Sequence, residues 1–85
     1  MDYEDVSFVV GSKIRLSILT KLSEKMYTPT SLASSIDIDQ SHVSRALKEM
    51  QKRGIVTQVT RSRKGRLYSI SDKGKKVLEE TKSIH

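Results

Sequence analysis

The segment from Gln40 to Lys52 is rich in hydrogen-bond donors and cations: Gln40, Ser41, His42, Ser44, Arg45, Lys48 and Lys52. A short way on, four of the six residues from Arg61 to Arg66 are cationic, namely Arg61, Arg63, Lys64 and Arg66. An arginine fork is long and planar and can grip a guanine edge through two bonds at once, and glutamine can do the same for adenine. Lysine meets phosphate as a compact point charge. Ser41 and Ser44 are small enough to let a helix approach a partner closely, and Ser44 suits a phosphate better than a base. Thr30 and Ser31 follow a Thr-Pro pair that marks a helix start. There they could donate to a phosphate or simply cap the helix. The chemistry on offer is recognition of a polyanion.

Catalytic chemistry is not on offer. The chain has no Ser/His/Asp set, no glycine-rich phosphate loop and no pair of carboxylates placed for acid–base work. With no cysteine, disulfides and thiolate metal sites are excluded. His42 lies near Asp37 and Asp39, but carboxylates beside a single histidine at a helix start are ordinarily caps, so no metal is expected. His85 is terminal. The four aromatic residues, Tyr3, Phe8, Tyr27 and Tyr68, are too scattered to make a stacking platform for single strands. The expectation is a binding protein with no cofactor, not an enzyme.

The cations are concentrated in one part of the chain. Residues 1–39 hold four Lys/Arg and six Asp/Glu, whereas residues 40–76 hold eleven and two, within a total of +6 over 85 residues. Charge spread for solubility alone need not be concentrated in this way, although a solvated face or a charged hairpin edge would also use such residues. The length allows one small domain, 1–85, with a single core. No apolar run approaches the roughly 18–20 residues of a membrane span, and no secretion leader is evident. The expected setting is therefore intracellular and off the membrane.

Periodicity supplies the elements that must carry these residues. Val6–Val10 is a short apolar run closed by Gly11, either one helical turn or a short strand. Ser12 looks like a helix N-cap, and Ile14, Ile18, Leu19 and Leu22 recur at helical spacing up to about Ser23. Thr28 and Pro29 open a second, short helix through Leu32, Ala33 and Ile36, ending near Ser35. Ile36-Asp37-Ile38 is a tight turn in which Asp37 tolerates left-handed backbone. Asp39 caps a third helix from Gln40 to about Arg53, closed by Gly54, with Ile38 and Val43 spaced as a hydrophobic staple.

On that third helix Val43, Ala46, Leu47 and Met50 share one side, and Ser41, Arg45, Lys48 and Lys52 share the opposite side. A merely soluble face would mix in more glutamates, and Glu49 is the only acid, at the flank. Past Gly54 the pattern alternates. Ile55–Thr60 and Leu67–Ile70 read as two strands around the basic turn 61–66, with Gly65 near its tip. Ser71 or Asp72 then caps a last helix with Val77, Leu78, Thr81 and Ile84 in a narrow stripe. The fold class is α+β and mostly α: an apolar segment at 6–10, a three-helix core over 12–54, a two-stranded hairpin wing over 55–70 and a C-terminal helix over 71–85. This is a helix-turn-helix followed by a wing.

The stretches GSKIRLSIL, TPTSLASSIDIDQSHVSRALKEMQKRGIV and GRLYSISDKGKKVL resemble the small winged helix-turn-helix transcriptional regulators of the ArsR and MarR type, especially their archaeal relatives. The likeness covers residues 11–80. It implies that helix 40–53 reads the major groove of double-stranded DNA and that the basic hairpin is the wing, on the backbone or in the minor groove. The expected function is a sequence-specific transcriptional regulator. The cysteine pair common in ArsR-type metal sensors is missing, which puts thiol-based sensing out of reach and leaves any small-molecule effector open. Such chains usually act as homodimers. Val6, Phe8, Val9 and Val10, with Val77, Leu78, Thr81 and Ile84, are the candidate dimer surfaces, and the same side chains could equally close the monomer core. Two rival readings are an architectural DNA-binding protein without sequence preference and a winged-helix module that binds an acidic protein.

Overall fold

The structure, a computed structural model, describes residues 3–62 and 65–83, and of residues 60–62 the backbone only. Its elements are α1 (Tyr3–Val10), α2 (Lys13–Leu22), α3 (Pro29–Ile36), α4 (Gln40–Lys52), β1 (Val56–Ser62), β2 (Gly65–Ile70) and α5 (Asp72–Ser83). The order is that of a winged helix-turn-helix. The apolar run left open between helix and strand is helical, and the Gly11 amide closes it on the Ser7 carbonyl at 2.9 Å.

Local caps fix the helices. Ser12 is extended, and its hydroxyl accepts from the Arg15 amide at 3.3 Å. Thr28 and Ser31 cap reciprocally: the Thr28 hydroxyl accepts from the Ser31 amide at 3.2 Å, and the Ser31 hydroxyl accepts from the Thr28 amide at 3.1 Å. Asp37 takes the left-handed backbone at φ 55°, which turns the chain from α3 into α4. Asp39 stands at the N-cap of α4, but its side chain caps nothing. Its carbonyl accepts from the His42 and Val43 amides, both at 3.1 Å, and its carboxylate takes the Ser41 hydroxyl at 3.4 Å. Gly54, at φ 75°, ends α4 and lets the Ile55 amide reach back to the Met50 carbonyl at 3.0 Å.

The wing is longer than its side chains suggest. β1 and β2 are antiparallel, with Val56 opposite Ile70 and Gln58 opposite Tyr68. After a bulge at Val59, pairing continues through Arg61 opposite Arg66 to Ser62 opposite Gly65. Arg61 and Arg66 are thus strand residues, not turn residues. Ladder hydrogen bonds come from the backbone and do not require β-branched side chains. Tyr27 adds a third strand position: its amide and carbonyl pair with those of Tyr68 at 3.1 and 2.8 Å, which ties the wing to the entrance of α3.

The core joins Ile18, Leu19 and Leu22 of α2 to Leu32 of α3 and to Val43, Leu47 and Met50 of α4, with Ile55, Val56, Tyr68 and Ile70 from the wing side. Ser71, not Asp72, caps α5. Its hydroxyl accepts from the Gly74 amide at 2.9 Å and faces the carbonyls of Gly54 and Ile55 at 2.6 and 2.8 Å. Gly74 is needed there, because any Cβ would collide with the Ile55 carbonyl oxygen.

The two terminal segments meet within the chain, α1 packing on α5. This reassigns most of the expected dimer surface. Val6, Val9, Val77, Leu78 and Thr81 are all buried in the monomer. A domain of this size has little apolar surface to spare, and these side chains go to its own core. Val10 remains exposed and Phe8 half-buried, while Ile84 lies outside the described residues.

Candidate nucleic-acid interface

The two faces of α4 separate cleanly. Val43, Ala46, Leu47 and Met50 are buried. Gln40, Ser41, His42, Arg45, Lys48 and Lys52 are exposed, and Ser44 is half-buried. Periodicity alone produces this division, since residues three and four apart fall on one side of a helix. With its inner face anchored in the core, α4 holds its outer donors in fixed order along the surface.

α3 and β2 extend that surface. Thr30 and Ser31 are exposed in the first turn of α3. The Ser31 hydroxyl is engaged with Thr28, accepting from its amide and contacting its carbonyl at 3.1 Å and its hydroxyl at 3.0 Å, so its capping role is realised. Arg66 is exposed on β2. A hollow of about 270 Å³ lies between α4 and the wing, lined by Pro29, Gln40, Ser44, Lys48, Arg66 and Tyr68. The structure therefore brings Gln40, Ser44, Lys48 and Arg66 together. The side chain of Arg61 and all of Arg63 and Lys64 lie outside the described residues.

Behind this surface runs a brace absent from the sequence-based expectations. Asp5 of α1 is 3% exposed. Its Oδ1 accepts from Arg53 Nη1 at 3.2 Å, and Lys73 Nζ sits 3.0 Å from Oδ2 as an ion pair. Lys73 also donates to the Arg53 carbonyl at 2.7 Å, satisfying the end of α4. Burial by itself pushes the Asp5 carboxyl up, but contact with Lys73 and Arg53 and their charges outweigh it and hold it below its ordinary value.

Both Arg15 and Arg53 lie over the Phe8 ring, at 3.8 and 4.1 Å from its centre. Arg15 further donates to the Phe8 carbonyl at 2.8 Å and pairs with Glu49 of α4 at 3.7 Å. Thus α1 holds the C-terminal half of α4 through Arg53 directly and through Arg15 and Glu49. The available signal was Asp5 and Phe8, three apart on one helical face.

Among the described residues no group of three or more His, Asp or Glu side chains could hold a metal ion, and no helix is long and apolar enough to cross a membrane.

A family model described as the HVO_A0261 N-terminal domain matches residues 3–85. Among solved structures, the transcriptional regulator BldR of Sulfolobus solfataricus is 25% identical with a TM-score of 0.77, over 94% of this chain and 63% of its own. The adhesin competence repressor AdcR of Streptococcus pyogenes is 25% identical with a TM-score of 0.73, over 87% of this chain and 57% of its own. The transcriptional repressor BigR of Xylella fastidiosa, 21% identical, shares the fold with a TM-score of 0.81 over 96% of this chain. The chain thus spans about three-fifths of the length of BldR and AdcR. No curated protein matches it. The fold is that of the winged helix-turn-helix transcriptional regulators.

Proposed function

The chain belongs to the HVO_A0261 N-terminal domain family, and we propose that it is a double-stranded DNA-binding transcriptional regulator, acting in the cytoplasm without catalysis or cofactor. The observation that carries this reading is the division of α4 into a buried apolar face and an exposed face of Arg45, Lys48, Lys52 and hydrogen-bonding residues, with Arg66 of the wing beside it. BldR and AdcR, described as a transcriptional regulator and a repressor, support it at 25% identity. In this reading helix 40–53 enters the major groove, with Arg45 on a base edge, and the wing 61–66 lies on the backbone or in the minor groove.

The active form is a homodimer that reads two half-sites about one helical turn, 10–10.5 bp, apart. With Val6, Val9 and the α5 stripe spent on the core, the apolar side chains left for a second copy on α1 are Tyr3 and Val10, 73% and 42% exposed, and the half-buried Phe8.

The test is duplex binding at two salt concentrations, with the DNA upstream of the protein's own gene against a scrambled duplex of equal composition. A preference for the upstream DNA that persists at the higher salt is the expected result. Equal, salt-sensitive binding to both would favour an architectural protein, and binding to neither would move the acidic-partner reading into first place.

A further inference from the structure

The two flanks of α4 differ in charge. On the α2 side, His42 and Arg45 share a small hollow with Arg15 and Glu49, and the Arg15–Glu49 pair brings a carboxylate to its edge. The wing-side hollow is lined by Pro29, Gln40, Ser44, Lys48, Arg66 and Tyr68. It has two cations and no carboxylate among its lining residues. We propose that this wing-side hollow seats one backbone phosphate of duplex DNA, with Lys48 and Arg66 facing its charge and the Tyr68 hydroxyl donating from the floor. The inference rests on the DNA-binding reading above and assigns one contact within it.

Three features support a phosphate there over a base edge. The site is a concavity at the junction of two elements, and the sugar–phosphate strand is the part of the duplex that passes between a helix in the major groove and a wing beside it. Lys48 and Arg66 approach from α4 and β2, so they can act on one charge from two sides. Tyr68 is 2% exposed, its backbone bonded on one side to Tyr27 and facing Gln58 on the other. A residue held in this way cannot swing to follow different bases, but it can present a fixed donor to a group that every base pair carries. Among the described residues its hydroxyl takes no hydrogen bond. Gln40, expected from sequence to read adenine, lies in the same hollow and becomes a second neutral donor to the phosphate.

The test couples protein and DNA changes at single positions. The full chain and Tyr68→Phe are titrated with a target duplex and with duplexes in which each phosphate in turn is replaced by a neutral methylphosphonate. Tyr68→Phe keeps the ring and loses only the hydroxyl. The expected loss on the unmodified duplex is about tenfold, the effect of one hydrogen bond to a charged acceptor, with no change in the salt slope. At one methylphosphonate position the two proteins should bind alike, because the partner of the hydroxyl is gone. Lys48→Gln, at an exposed position, should lose its effect at that same position and also flatten the salt slope by about 0.9. The proposal is overturned if Tyr68→Phe binds like the parent, or if both variants lose equally at every methylphosphonate. Failure of the parent chain to bind any duplex would instead overturn the DNA-binding reading, a result the unmodified duplex reports by itself.

Discussion

Replacing Asp5 by Ala should cost the domain about 2 kcal/mol at neutral pH. The carboxylate is 3% exposed, and its partners Arg53 and Lys73 keep side-chain exposures of 40% and 47%. A hydrogen bond to a charged group contributes about 1.5–3 kcal/mol when buried, but two half-exposed cations recover hydration once the carboxylate is removed. One such bond and one ion pair, discounted for that hydration, leave about 2 kcal/mol. For a domain of this size that is a fall of about 8–16 °C in melting temperature.

The pH dependence has a definite sign. The folded-state pKa of Asp5 lies below its ordinary value of 3.8, so the unfolded chain takes up the proton first as pH falls. The stabilisation is therefore complete above the unfolded value and is lost as pH drops through the folded one. Urea unfolding of both proteins from pH 8 to pH 3 should give a constant difference down to about pH 5, narrowing below about pH 4. A difference that is absent at neutral pH, or that widens on acidification, would refute the brace as described.

Three further changes test other parts of the structure. Gly74→Ala should destabilise by about 1–3 kcal/mol in chemical unfolding, because the added Cβ meets the Ile55 carbonyl and α5 must move off the α4–β1 corner. Arg45→Ala should cost about 1–3 kcal/mol on the preferred duplex and relax preference at one base pair, measured against a set of single-base variants. Val10→Glu should leave the unfolding free energy of the monomer within about 0.5 kcal/mol of the parent's yet shift the oligomer to monomer in light scattering. An unchanged dimer would remove α1 from the interface.

What the sequence disclosed was local. The two faces of α4 follow from a 3.6-residue period, and the starts at Ser12 and Thr28-Pro29 and the stop at Gly54 follow from single-residue capping and backbone preferences. Features that depend on distant residues were hidden. Asp5 and Arg53 are 48 residues apart, and although Asp5 and Phe8 share a helical face, nothing local names their distant partner. Val6–Val10 fits a turn of helix or a strand equally well, and its packing against α5 decides the matter. Stripes such as Val77, Leu78 and Thr81 look the same whether they meet their own core or another subunit. Only the tally of apolar surface separates the two, and in this domain the core takes them. Asp39 shows a different limit: the residue type and position were right for a cap, but its carboxylate meets Ser41 while the backbone carbonyl holds the first turn.

The brace also bounds the strength of any electrostatic grip on DNA. The chain has 16 Lys and Arg residues, and if each met a phosphate the log–log salt slope would approach about −14, at 0.9 per contact. The structure divides them by position. Arg15, Arg53 and Lys73 are engaged behind α4 with Phe8, Asp5 and Glu49. Lys75, Lys76 and Lys82 belong to α5, which packs on α1 at the other end of the chain's order, and Lys13, Lys21 and Lys25 belong to α2 and the loop after it. On the proposed binding face are Arg45, Lys48 and Lys52 of α4 with Arg66 of β2, and the wing sequence adds Arg61, Arg63 and Lys64. If Arg45 reads a base, as many as six cations per subunit remain for phosphates, and the slope per subunit should not exceed about −5.5. A steeper measured slope would mean that α5 or α2 also lies against the duplex, and that the face defined by α4 and the wing is only part of the contact.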